Sequence, residues 1–135
     1  LIEATKRHNK LQDEILVAIS QSGLAMVWAH PTGTAERNGQ WIRYGLIGSA
    51  DIIGVARGGT FISIEVKTGK GVQSEQQIKY ELAVNRMGGR YFVARSVFDA
   101  LRFCFMVAAP ASVESLVVSP ATILLPQFAS DNTSD

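Results

Sequence analysis

With 135 residues, 47% of them apolar and 19% charged, the chain can bury one real core, is too short for two comfortable domains and is not compositionally disordered. A single cysteine, Cys104, excludes an intramolecular disulfide framework and a cysteine-built zinc site, and points to a reducing compartment. The net charge of +1 hides an uneven distribution: thirteen Lys and Arg against nine acids in residues 1–102, then three acids and no base in residues 103–135.

Residues 10–22 carry Leu11, Ile15, Val17, Ala18 and Ile19 among polar residues, which predicts an amphipathic helix stopped by Gly23. LAMVWAH (24–30) reads as a strand halted by Pro31, and PTGTAERNGQ (31–40), rich in turn formers, as a loop. WIRYGLIGSA (41–50) is a short strand or an extended approach to one. DIIGVA (51–56) and TFISIEVK (60–67) are strands separated by Arg57-Gly58-Gly59, a hairpin signal. Residues 74–87 are helical, with Ile78, Tyr80, Leu82, Ala83 and Val84 as the apolar stripe, and Gly88-Gly89 ends them. RYFVAR (90–95) is a further strand, and Ser96 caps a helix running through Phe98, Ala100, Leu101 and Phe105.

The predicted order is α-β-β-β-α-β-α, an α/β or α+β domain with a mixed sheet flanked by helices. Residues 109–135 form an apolar C-terminal extension whose last residues are expected to be disordered. Pro110, Pro120 and Pro126 interrupt it before it supplies the roughly 18–20 apolar residues of a membrane span. No basic-then-apolar leader opens the chain, so the expectation is a soluble, cytoplasmic protein with no membrane partner.

Glu65 and Lys67 are the anomaly in the second hairpin strand. Alternation puts Phe61, Ser63, Glu65 and Lys67 on one face and Ile62, Ile64 and Val66 on the core face. A two-residue Gly58-Gly59 turn would set Asp51 opposite Val66, on the core side. A three-residue Arg57-Gly58-Gly59 loop pairs Ala56 with Thr60 and sets Asp51 opposite Glu65. The three-residue loop, or an equivalent bulge, is the prediction, because it converges Asp51, Glu65 and Lys67. Facing carboxylates repel, and a divalent cation turns that repulsion into coordination. Oxygen ligands suit Mg²⁺ or Mn²⁺, the Val66 carbonyl can add a third, and Lys67 can serve the attacking water. The alternative is a solvated polar face with an exposed Glu65–Lys67 ion pair.

Asp51, then Glu65-Val66-Lys67, then a helix opening Ser74-x-x-Gln77, resembles the PD-(D/E)xK nuclease core, closest to the VRR-NUC group in its phage-type stand-alone form. GLIGSADIIG (45–54), IEVK (64–67), GVQSEQQ (71–77), the strand GRYFVA (89–94) and the following helix carry the likeness, over about residues 10–103. Ala50 stands where the family has a proline, which removes no ligand. The resemblance implies a restriction-endonuclease-like fold in residues 1–108 and Mg²⁺- or Mn²⁺-dependent phosphodiester hydrolysis in DNA. Asp51 and Glu65 would hold the metal, with the Val66 backbone carbonyl. Lys67 would serve the water, and Gln77 would position the lysine or the phosphate; Gln76, with Tyr80, competes for that role. A first-helix acid that assists the metal is best matched by Glu14, then Glu3. Stand-alone members are similar to homodimeric Holliday-junction resolvases, so a homodimer acting on branched DNA in a host cytoplasm is implied, and the uncharged tail offers apolar surface for it.

His8 and His30 have no second histidine at ligand spacing and are read as structural or surface residues. Loop 31–40, with Thr32, Thr34, Arg37 and Asn38, could track a DNA backbone. Arg43, Lys70 and Lys79 are further phosphate candidates, though residues of this kind are more often plain surface charge. Gly69-Lys70-Gly71 lacks the spacing and hydroxyl residue of a P-loop, so nucleotide binding is rejected. Trp28 and Trp41 are assigned to the core. Three functions are compatible with these residues: a nuclease on branched DNA, a restriction- or repair-type nuclease with another preference, and a non-catalytic DNA-binding module. Neutralising two or three carboxylates with a cation would make residues 1–102 distinctly basic, as a DNA partner requires; an ordinary mixed surface fits the charge count equally.

Overall fold

In the computed structural model, which describes residues 1–111, alternation along β5 (Phe61–Val66) places side chains on two faces, and helices cover both. β1 (Ala25–Ala29), β4 (Ile52–Ala56), β5 and β6 (Arg90–Ala94) form a sheet in the order β1-β4-β5-β6. The first three strands are antiparallel neighbours, and β6 runs parallel to β5. A parallel pair needs a crossover, which α2 (Glu75–Arg86) supplies. On one face α1 (Ile2–Ser22) and α3 (Val97–Val107) bury Ile15, Ile19, Phe103 and Cys104 against Ile52, Ile62, Ile64, Val66 and Ala94. On the other, Tyr80 and Val84 of α2 pack on Tyr91, Val93 and Ala50. The fold is mixed α+β, a mixed sheet with three helices.

Local chemistry stops α1 and starts α2 and α3. Gly23 closes α1 at φ 70, a conformation that costs a glycine little. Ser74 and Gln77 form a reciprocal capping box on α2, and the Ser96 hydroxyl accepts from Asp99 N on α3. Cys104 is buried in this core, and burial pushes its thiol up to about 11, so it is inert packing. Among the described residues no helix is long and apolar enough to cross a membrane.

Three expectations are corrected. α1 begins at Ile2, eight residues before the predicted start, because residues 2–9 carry no apolar stripe to announce it. Residues 31–40 are not simply a loop: β2 (Gly33–Arg37) pairs with β3 (Gln40–Tyr44) in a separate two-stranded ribbon. Its turn is Asn38-Gly39, both at positive φ (52 and 76), the backbone a tight hairpin needs. No face of the ribbon is buried, so the burial alternation that marks a strand is missing. The element order is therefore α-β-β-β-β-β-α-β-α, and the ribbon accounts for the difference. Finally, neither tryptophan is core. Trp41 lies on the ribbon, 74% exposed, and Trp28 is 44% exposed beside Met26 on β1, where α2, packed over β6, does not reach. The C-terminal extension, on which the expected disorder and apolar dimer surface rested, lies outside the described residues after residue 111.

Gly54 is where the sheet tolerates no side chain. A Cβ there would overlap the Met26 carbonyl and meet the Val27 side chain at 2.8 Å, both on neighbouring β1. Backbone cannot yield as a side-chain tip can, so Gly54→Ala is expected to cost about 2 kcal/mol or more, measured by denaturant unfolding. A wild-type midpoint in that variant would contradict the packing.

Candidate active site

The β4–β5 register decides what faces what. Ile52 pairs with Ile64 and Gly54 with Ile62, and Ala56 N donates to Thr60 O at 2.8 Å. The loop is therefore the three-residue Arg57-Gly58-Gly59, with Gly58 and Gly59 at φ 101 and 98. Continued by one residue beyond the Ile52–Ile64 pair, this ladder would set Asp51 across from Glu65. The core enforces it: slipping one residue would drive Ile52, Ile62 and Ile64 out of the main apolar cluster.

Glu65 is not half of a solvated ion pair. Only 4% of it is exposed. Its Oε1 accepts from Gln77 Nε2 at 2.7 Å and lies 3.4 Å from Lys67 Nζ, while its Oε2 is buried with no partner among the described residues. Burial, then the Asp51 charge, pushes its carboxyl up from 4.5 to about 7, with Lys67 opposing both. Gln77 thereby serves twice: its Oε1 caps α2 through Ser74 N at 2.9 Å, and its amide braces Glu65. Gln76 is exposed, and its backbone lies against Gly48, where a Cβ would overlap it. Tyr80 is occupied with Ser63, hydroxyl to hydroxyl at 2.8 Å. Between the glutamines, Gln77 is the one that reaches the carboxylate.

Asp51 is held from two sides. Its Oδ2 accepts from Val66 N at 2.8 Å and lies 3.2 Å from His8 Nε2, which is also 3.1 Å from Val66 O. The reading of His8 as structural or surface missed this approach. The signal was in the spacing: His8, Leu11, Ile15 and Ile19 share one helix stripe, so His8 continues the buried face beyond the apolar core toward the strand ends. Glu14 sits about 120° round the helix from His8. It is exposed, 3.9 Å from Lys10 Nζ, and Glu3 likewise pairs with Lys6 at 3.6 Å. The structure thus brings neither acid to the site, and the α1 side chain that arrives there is an imidazole.

The connection after Lys67 is fixed by Arg95, whose guanidinium donates to Gly69 O at 3.2 Å and Gly71 O at 2.7 Å. Nothing in the sequence pattern marks that clamp. Arg37 and Arg43 are exposed on the ribbon and Lys70 in the clamped turn, whereas Lys79 pairs with Glu75 at 2.9 Å. His30 joins the site only through its backbone, N to Asp51 O at 2.7 Å. A depression of about 570 Å³ lined by Asn85, Arg90, Phe103 and Met106 opens at the start of β6, about 13 Å along the strand from Ala94, and holds no carboxylate.

Do these groups suit a cation? Three buried side-chain atoms lack a partner among the described residues, Ser49 Oγ, Tyr91 Oη and Glu65 Oε2, and only the last is a carboxylate oxygen. With the Asp51 carboxylate and the Val66 carbonyl, both within 3.2 Å of His8 Nε2, the donor set is hard oxygen, suited to Mg²⁺ or Mn²⁺. No three His, Cys, Asp or Glu side chains among the described residues form a ready cage, so the set relies on the main-chain carbonyl and on water. No protein-family model matches the chain, and no curated protein is significantly similar to it.

Because the folded state holds Glu65 at about 7 against an ordinary 4.5, it binds a proton more readily than the unfolded chain. Its contribution therefore favours the fold below about pH 4.5 and is lost as pH rises through about 7. In chelator-treated buffer, wild type should lose up to roughly 3 kcal/mol over that window relative to Glu65→Gln. Unfolding curves at pH 4.5, 6 and 8 check this, and equal slopes in both proteins would refute it.

Proposed function

We propose that the chain is a metal-dependent DNA endonuclease with a restriction-endonuclease-like core of the PD-(D/E)xK, VRR-NUC type. It acts as a homodimer on branched DNA such as a Holliday junction. The observation that carries this reading is the pair Asp51 and Glu65, close enough that the Asp51 charge raises the Glu65 carboxyl, with Lys67 Nζ 3.4 Å from Glu65 Oε1 and Glu65 Oε2 buried without a partner among the described residues. A purely structural ion pair has no reason to bury a second carboxylate oxygen unsatisfied, since that costs about 1–3 kcal/mol or more.

Asp51, Glu65 and the Val66 carbonyl would hold Mg²⁺ or Mn²⁺, which when bound supplies Lewis-acid polarisation of a phosphoryl oxygen and acidifies water. Gln77 fixes the Glu65 carboxylate so that Oε1 is engaged and Oε2 remains available. Lys67 offers a proton at Nζ beside that carboxylate, where it can orient the attacking water and offset charge growing on the phosphate. Its stem crosses Gly71, where a Cβ would come 3.5 Å from Lys67 Cδ, so the Arg95-clamped turn shapes its path. The ribbon β2–β3 carries Arg37 and Arg43 into solvent, and a two-stranded ribbon is an element the major groove admits. Lys70 lies on the turn beside the site and is the third phosphate partner; Lys79, engaged by Glu75, is the weakest of the four.

Cleavage of junction, flap and linear duplex with Mg²⁺ and with Mn²⁺ tests the reading. Wild type should cut the junction preferentially, and Lys67→Ala and Asp51→Asn should lose at least about a hundredfold while still binding it. Preferential cutting of flap or linear DNA would favour a repair- or restriction-type preference. Binding without cleavage by either ion would leave a DNA-binding module and sink the nuclease.

A further inference from the structure

The ribbon β2–β3 contributes to neither apolar cluster, yet it grows out of the Asp51 end of the sheet. His30 N donates to Asp51 O at 2.7 Å, the ribbon starts at Gly33, and the chain beyond Tyr44 runs back into Asp51. Its root is tightly packed. A Cβ on Gly45 would come 2.6 Å from Thr32 Cγ2, and one on Gly48 would overlap the backbone of Gln76 in the first turn of α2. The ribbon is thus set against the helix that carries Gln77. Register then sorts its side chains. Thr34 pairs with Arg43 and Glu36 with Trp41, so these four share one face, while Ala35, Ile42 and Tyr44 lie on the other. Tyr44 is engaged: a Cβ on Gly33 would meet its hydroxyl at 2.8 Å. Trp41 is 74% exposed, and its neighbours on its own face are all polar. A lone ring among polar groups is no protein-docking patch, which needs contiguous apolar area. Arg43 stands two residues along the same strand, about 7 Å away. It lines a cavity of about 250 Å³ at the ribbon root with Thr32, Thr34 and Gly48.

We propose that Trp41 and Arg43 form a nucleotide subsite, in which the indole stacks on an unpaired base and the guanidinium takes a phosphate beside it. The proposal deepens the nuclease reading, on which it rests for the polymer bound, but it requires neither metal nor cleavage. Inside a duplex every base is stacked on both faces and has none to offer, whereas a base in a single-stranded arm can be splayed out onto a ring. Stacking tolerates any base, so this subsite reads the shape of the DNA and not its sequence. Glu36, across from Trp41, sharpens the choice, because its carboxylate repels phosphate from the ring and leaves the ring to a base. Trp41 lies three residues out from the Gly33–Tyr44 pair, about 10 Å along the ribbon. The unpaired base is therefore held beside the Asp51–Glu65 site and not in it.

The competing occupant of the ring is a second copy of the chain, and fluorescence separates the two. The chain has two tryptophans, so Trp28→Phe leaves Trp41 as its one indole. That full chain is titrated in chelator with a forked duplex carrying single-stranded arms, and with a blunt linear duplex of equal length. The fork should quench Trp41 emission and the blunt duplex should not. Trp41→Ala should bind the fork about tenfold more weakly and the blunt duplex almost as wild type does, and Trp41→Phe should recover much of the fork affinity. Arg43→Ala should weaken both DNAs alike and lower the salt dependence by about one phosphate contact. Both side chains are exposed, and melting curves check that each variant keeps its fold. Equal losses on fork and blunt duplex in Trp41→Ala, or no quenching by the fork, would overturn the subsite, and the nuclease reading stands if wild type still cuts DNA. Trp41 emission that shifts to the blue with protein concentration, without DNA, would assign the ring to an interface between copies and overturn it as well. If wild type neither binds nor cuts either DNA, with or without Mg²⁺, both readings fall.

Discussion

A carboxylate opposite a carboxylate at the end of two paired strands is the constraint around which this molecule is arranged. Left alone, the pair would push β4 and β5 apart at their polar end. It stays because the apolar half of the same ladder does not permit another register: Ile52, Ile62 and Ile64 all face the cluster built by α1 and α3. The Arg57-Gly58-Gly59 turn, with two glycines at positive φ, closes the hairpin in that register and no other. Hydrophobic burial on one face of the sheet thereby holds an electrostatic conflict on the other.

The conflict is eased rather than removed. Asp51 is tied to Val66 N and approached by His8, and Glu65 is tied to Gln77 and Lys67. The four braces come from three places: α1, the end of β5 with the residue after it, and the first turn of α2. The capping box on α2 is the economical part, since one glutamine both starts the helix and grips the carboxylate. Arg95, at the end of β6, holds the intervening turn by two carbonyls. The polar cluster is therefore held by secondary-structure ends, with each of its side chains close to a cap, a turn or a strand terminus.

Much of this was legible beforehand, and the gaps have physical causes. Asp51, Glu65 and Lys67 could be placed from strand alternation and turn chemistry, because both are local rules with a period of two. The Asn38-Gly39 hairpin was equally local, yet it went unread behind the turn formers that precede it and the absence of an alternating apolar face. The start of α1 was hidden because its early turns display polar residues where the stripe would show. His8 was hidden for the related reason that a polar residue on an apolar stripe reads as noise until its neighbours are known. Trp28 and Trp41 were placed inside on hydrophobicity alone, although burial depends on whether another element covers the face they occupy.

By itself, the sequence determined the period of each element, the capping of α2 and α3, and the turn whose length puts two acids face to face, since these depend on residues within a few positions of one another. Only the tertiary structure decided which side chain from α1 reaches Asp51, that Glu14 does not, and which glutamine grips Glu65. Only there, too, does the Glu65 carboxyl become buried enough to be pushed up to about 7. Those outcomes turn on the packing of helices against a sheet whose strands are far apart in the chain, and on desolvation, which no single stretch of sequence carries.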